Sequence, residues 1–194
     1  MTQFVLSMVD VINLSETGAH VSVTMYGERA EVSICEARNI STIQNGLDKI
    51  NNTIRDTSSL GSSPDIVTAL NVSLYKMFSH INCGRKNVPK TLILLTDGDC
   101  KFCKPNDSDF NSSYKTYLTD IVEQFNLRKI RVILISTRDN YALIEETYQV
   151  AITGEDNFHL IQRYDELLNS DFIYNTSVCD GMFSLKTFIE IVFI

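Results

Sequence analysis

The 194-residue sequence is short of several things, and each shortage excludes a class of function. No stretch approaches the roughly 18 consecutive apolar residues that a membrane-spanning helix requires, so membrane insertion is not expected. Basic residues are few and scattered: 17 Lys and Arg stand against 24 Asp and Glu, for a formal charge of −7. A phosphate-neutralising surface needs a basic patch, so no nucleic-acid partner is expected. Neither G-x-G-x-x-G nor G-x-x-x-x-G-K occurs, which leaves no Gly-rich loop to cradle the phosphates of a nucleotide. Cys100-Lys-Phe-Cys103 has no second C-x-x-C to complete a zinc site, and Pro105 continues a loop where a thioredoxin-like centre needs a helix start. His20, His80 and His159 fall in separate elements, with no Ser, Cys or Asp partner that spacing alone marks as a triad. Short repeats and low-complexity blocks are also missing.

What remains is a chain with 44% hydrophobic and 21% charged residues, long enough for one globular domain with a real core. Residues 1–15 lack a basic n-region and a small-residue cleavage site. Val5, Met8, Val9 and Ile12 recur there at helical spacing, which predicts an amphipathic helix and not a signal peptide. Asn-x-Ser/Thr occurs at Asn13, Asn39, Asn51, Asn71, Asn106, Asn111 and Asn175, where chance gives about two or three such acceptors. That excess points to the secretory pathway and an extracellular, secreted glycoprotein. Five cysteines (Cys35, Cys83, Cys100, Cys103 and Cys179) suit an oxidising compartment and are disulfide candidates; the odd count leaves one over, and the pairing stays open.

Along the chain, HVSVTMYG and AEVSI flank a turn-like GER and predict a hairpin. Ile40, Ile43, Leu47, Ile50 and Ile54 form one helical stripe. Ser63-Pro64-Asp65 has the order of a helix start, with Ile66, Leu70, Leu74, Met77 and Phe78 on the face that follows. TLILLT and VILIST are continuous apolar runs, the mark of parallel strands buried on both sides. Between them Tyr114, Tyr117, Leu118, Ile121, Val122 and Phe125 predict a helix. Helices are also expected over 140–151 and 164–173, with a short strand at NFHLI between them. The whole reads as an α/β fold: a three-layer helix-sheet-helix sandwich with a mostly parallel, doubly wound (Rossmann-like) sheet and one antiparallel edge strand.

The hairpin, the polar loop before ALNVSLYKMF, the strand ending in Thr96-Asp97-Gly98, and IRVILIST with FHLIQRYDELL resemble, in order and spacing, a von Willebrand factor type A domain over about residues 1 to 170. The resemblance implies a non-enzymatic protein-binding module of cell adhesion or extracellular matrix, with matrix or cell-surface proteins as partners. It also implies that Asp97, at the carboxyl end of a buried strand, helps hold a divalent cation, with Ser63 nearest to the position of a further ligand. The family's Asp-x-Ser-x-Ser metal turn occurs nowhere in this sequence. A hard cation takes about six oxygens, so the cation-dependent adhesion site is incomplete, and magnesium or calcium is expected only if the missing turn is supplied. The bland alternatives are an N-cap role for Ser63 and a turn role for Asp97 with Gly98. An enzymatic alternative is a magnesium-dependent hydrolase or phosphoacceptor-like domain using Asp97, which requires a second buried acid at a neighbouring strand end.

The sequence begins at the helix that follows the family's first strand, while Phe188 to Ile194 (FIEIVFI) resembles that strand. The expected organisation is an A-like domain over 1–180, N-terminally incomplete, and a strand-like segment over 181–194. That segment either fills the first-strand slot of its own domain, as in a circular permutant, or begins a following A domain of a tandem array.

Overall fold

The computed structural model describes residues 2–12, 14–26, 30–55, 66–79, 83, 85–96, 108–136, 158–160, 166 and 188–193. Helix α1 (Thr2–Val11) leads into the hairpin β1 (His20–Tyr26) and β2 (Ala30–Ala37), followed by α2 (Ile40–Arg55) and α3 (Ile66–Val72). Then come β3 (Lys90–Thr96), α4 (Ser108–Leu127), β4 (Ile130–Ser136), β5 (Phe158–Leu160) and β6 (Phe188–Phe193). The helices expected over 140–151 and 164–173 lie outside the described residues, Glu166 apart.

The strands form one sheet in the order β2-β1-β6-β3-β4-β5. β2 is antiparallel to β1 at one edge; every other pairing is parallel. The last strand in the sequence therefore lies inside the sheet. β6 pairs with β1 from His20 opposite Phe188 to Met25 opposite Phe193, and with β3 from Lys90 opposite Phe188 to Leu94 opposite Val192. Without it, β1 and β3 would each present a row of unpaired backbone groups to the interior, which is costly.

Helices cover both faces. On the first, Phe4, Val5, Met8 and Val9 of α1 and Ile43, Leu47 and Ile50 of α2 pack on Val21, Val23 and Met25 of β1, Ile93 and Leu95 of β3, and Ile133 and Ile135 of β4. Gly46 lets α2 approach the sheet, since a Cβ there would run into the Ile34 side chain. On the second face, Val67 and Leu70 of α3 and Leu118, Val122 and Phe125 of α4 pack on Leu92 and Leu94 of β3 and Val132 and Leu134 of β4. Phe78 meets Phe125 edge-on, with ring centroids 6.1 Å apart. The alternation of β3 and β4 thus serves two cores, which is why their sequences read as unbroken apolar runs.

Two local features were not expected from the sequence. α3 passes directly into a π-helical stretch, Ser73–Met77, closed by the Phe78 N–H donating to the Ser73 carbonyl at 2.9 Å. The widened turn leaves Ser73, Leu74 and Met77 all buried. In β2, the pairing steps from Ile34 opposite Val23 to Ala37 opposite Val21, so Cys35 and Glu36 share the single position facing Ser22. This is a β-bulge, and Glu36 takes a left-handed φ of 50° within it. Its N–H leaves the ladder and donates to Ser22 Oγ at 2.9 Å.

Candidate functional site at the carboxyl edge of the sheet

Strand direction divides the domain into two ends. β1, β6, β3 and β4 run the same way, so Tyr26, Phe193, Thr96 and Ser136 end at one edge. In open parallel sheets ligands gather outside this edge. α2 ends and α3 begins on the same side, because each runs opposite to the strand next to it in the sequence: α2 ends at Arg55 and α3 starts at Ile66. In sequence, Ser63 falls between these two helix ends and Asp97 immediately follows Thr96. Both expected metal residues themselves fall outside the described residues. Among the described residues no group of three His, Cys, Asp or Glu side chains could hold a metal ion.

The opposite, amino-terminal edge carries a polar network that sequence reasoning missed. The bulge turns Glu36 toward His20, whose Nδ1 lies 3.0 Å from Glu36 Oε1. Arg38 donates to Glu16 Oε2 at 2.6 Å and to Glu36 Oε2 at 3.2 Å. Those two carboxylates, Glu16 first, hold the Arg38 guanidinium above its usual pKa. His20 is 3% exposed, and its Nε2 has no hydrogen-bond partner among the described residues. The sequence signal was present but ambiguous: His20, Ser22 and Thr24 alternate with valines like the wet side of a hairpin, yet all three are buried because β1 is an inner strand covered on both faces.

Further polar ties converge near this end. Arg85 Nη1 donates to the Gly18 carbonyl at 2.6 Å, and Arg128 Nη1 donates to the Leu74 carbonyl at 3.1 Å while its guanidinium lies 5.1 Å from the Tyr75 ring centroid. Lys90 Nζ donates to the Phe78 carbonyl at 3.2 Å; burial, then the charge of Arg128, lowers its pKa. Cys35 and Cys83 form a disulfide with Cα atoms 5.4 Å apart. Cys100, Cys103 and Cys179 lie outside the described residues.

Of the glycosylation candidates, Asn39, Asn51, Asn71 and Asn111 fall in the described chain, and Asn13, Asn106 and Asn175 do not. Asn39 is the N-cap of α2: its Oδ1 accepts the Thr42 N–H at 2.9 Å, with the Ser41 and Thr42 hydroxyls donating at 2.7 and 2.9 Å.

Comparison with known proteins places this architecture. No curated protein matches the sequence. Among solved structures, proximal thread matrix protein 1 from the mussel byssus superposes with a TM-score of 0.64 at 17% identity, over 91% of this chain and 41% of that one. A second structure of it has a zinc-occupied MIDAS motif. The manganese-loaded TRAP protein of Plasmodium vivax superposes with a TM-score of 0.55 at 15% identity, over 89% of this chain and 64% of that one. The chain thus spans less than two thirds of either protein, and at these identities the likeness is one of fold. The sequence model of the von Willebrand factor type A domain matches residues 1–109, more than half of the 194; with the sheet order and helical layers described above, the chain belongs to that family.

Proposed function

We propose that this domain is a non-enzymatic, extracellular protein-binding module of adhesion or matrix assembly, and that it engages protein partners at the carboxyl edge of its sheet. The observation that carries this reading is the convergence of four parallel strand ends, Tyr26, Phe193, Thr96 and Ser136, beside the junction of α2 and α3. The likeness of fold to a byssal matrix protein is consistent with a matrix setting. The excess of Asn-x-Ser/Thr acceptors and the Cys35–Cys83 bond support secretion and a glycoprotein.

The available donors do not fit a complete cation site. None of the four strand-end residues is a carboxylate, and Asp97 with Ser63 adds one carboxylate and one hydroxyl where a hard cation takes about six oxygens. Recognition by this chain as it stands is assigned to its protein surface, and magnesium or calcium takes part only where the missing turn is supplied. Residues 1–180 form one unit in this reading, and 181–194 supplies that unit's first strand, in keeping with the pairing of β6.

Binding of the purified chain to immobilised matrix and cell-surface proteins tests the proposal. Thr96→Arg at the carboxyl edge should abolish binding, while Leu127→Asp, on an exposed residue at the far end of α4, should leave it unchanged. Equal loss in both variants, each confirmed folded by circular dichroism, would reject the carboxyl edge. Magnesium titrated into the chain should give no tight isotherm; stoichiometric micromolar binding would restore a metal-dependent reading.

A further inference from the structure

We infer that Asn39 is an N-glycan acceptor that keeps capping α2 while it carries the glycan; this rests on the extracellular reading and names the site at which it acts. The local hydrogen bonds fix the orientation of the Asn39 carboxamide. The Thr42 backbone N–H has only a proton to offer, so the atom 2.9 Å from it must be the amide oxygen. Oδ1 thus takes the cap and both hydroxyl bonds, and Nδ2 of this exposed residue has no hydrogen-bond partner among the described residues.

Nδ2 is the atom that N-glycosylation uses. The donor is an oligosaccharide linked through C1 to a lipid pyrophosphate in the secretory pathway. The C1–Nδ2 bond forms as the C1–O bond breaks, the pyrophosphate leaves with that electron pair, and one Nδ2 proton passes to a carboxylate base of the transferase. The product is a secondary amide whose oxygen still accepts, so the N-cap survives the modification. The acceptor hydroxyl two residues on, Ser41 Oγ, already sits 2.7 Å from the same carboxamide in an exposed turn. Asn71 offers the contrast. It lies within α3, and its hydroxyl partner Ser73 is fully buried in the π-helical stretch.

The position also suits the proposed function. β2 runs opposite to β1, so its end at Ala37 and the start of α2 at Ile40 lie at the amino-terminal edge. A glycan on Asn39 therefore projects from the end opposite the carboxyl edge and leaves that edge open.

The test is expression of the full chain behind an added secretory leader, with site occupancy mapped by peptide mass after N-glycanase treatment. Asn39 should be occupied and Asn71 empty. Asn39→Asp, which keeps a capping oxygen, and Ser41→Ala, which keeps the Thr42 N–H bond, should each remove one glycan with no fall in Tm. Asn39→Ala should remove the same glycan and lower Tm by roughly 2–4 °C, the loss of one cap in a domain of this size. Secretion with other acceptors occupied and Asn39 empty would overturn the inference while leaving the extracellular reading intact. Occupancy of Asn71 in place of Asn39, or an Asn39→Asp variant with an unchanged glycan count, would overturn it equally. Failure of the extracellular reading registers elsewhere, as absence of the natural protein from the extracellular fraction.

Discussion

The two faces of the sheet are built differently. The face under α1 and α2 is apolar across its described width, from Val21, Val23 and Met25 through Ile93 and Leu95 to Ile133 and Ile135. Among the described side chains, the face under α3 and α4 is apolar over β3 and β4, whereas across β1 it presents His20, Ser22 and Thr24, all buried. α3 nevertheless lies against β1 and β2. What fastens the second layer there is directional: the Cys35–Cys83 bond and the Arg85 bond to Gly18, with the bulge aiming Glu36 at His20. Hydrophobic burial scales with area and tolerates small shifts, whereas such ties fix particular atoms in place. One face supplies bulk stability, and half of the other is held by a few specific links.

The largest effect should come from opening either core. Phe125→Ala removes the partner of Phe78 and Phe4→Ala empties the centre of the α1 layer; each should cost about 3–5 kcal/mol in urea unfolding. If the two faces form one cooperative unit, both variants should unfold in a single transition, and two separate midpoints would break the comparison into two subdomains. Next in size is the disulfide, which closes a separation of 48 residues. Cys35→Ser should cost about 2–4 kcal/mol. Its hydrogen-exchange signature should be lost protection in α3 with α2 nearly untouched; equal loss in both helices would mean that the bond does not serve the second face in particular.

A smaller change tests the closeness of the apolar face. Gly46→Ala drives a methyl group into Ile34, at a cost of about 1–3 kcal/mol after any helix-propensity gain. Adding Ile34→Ala should recover part of that loss, and strict additivity of the two substitutions would rule out the steric coupling. The smallest effect belongs to Ser22→Ala, which strands the Glu36 N–H at the bulge for about 1 kcal/mol. A neutral Ser22→Ala would show that the bulge holds without its side-chain acceptor.

This asymmetry also explains what could be read from the sequence. The first face was legible because burial follows pattern: Val5, Met8 and Val9 of α1 and Ile43, Leu47 and Ile50 of α2 were picked out by spacing and are buried. The apolar runs of β3 and β4 announced parallel, doubly covered strands, and they pair in register from Lys90 opposite Ile130 to Thr96 opposite Ser136. The parallel pairing of Phe188–Phe193 with both β1 and β3 is one of the two placements that the resemblance to an A domain short of its first strand left open, the one that meets the backbone groups of β1 and β3. The directional links were not legible. Periodicity counts residues per turn, so it misses a π-helical stretch that shifts Ser73 inward, and a bulge is one extra residue with no compositional mark when Glu36, not glycine, adopts the left-handed conformation. Five cysteines permitted many pairings, and the choice of Cys35 with Cys83 depends on tertiary placement. At the candidate site, the residues singled out by family pattern, Asp97 and Ser63, lie outside the described residues, while the edge they flank is set by strand direction.

The central position of β6 has a consequence in time. Phe188 is registered with His20, 168 positions earlier in the chain (188 less 20), so the sheet cannot close until β6 has followed β1 out of the ribosome across that whole separation. Until then the β1–β2 hairpin and the β3–β4 pair are two half-sheets, each with an open inner edge. Contacts of such long separation carry a heavy loop-closure entropy and slow the folding step that makes them. At about 5–20 residues per second, synthesis keeps those edges exposed for several seconds before the joining strand emerges. Nascent copies of this domain therefore depend on being kept apart during that interval.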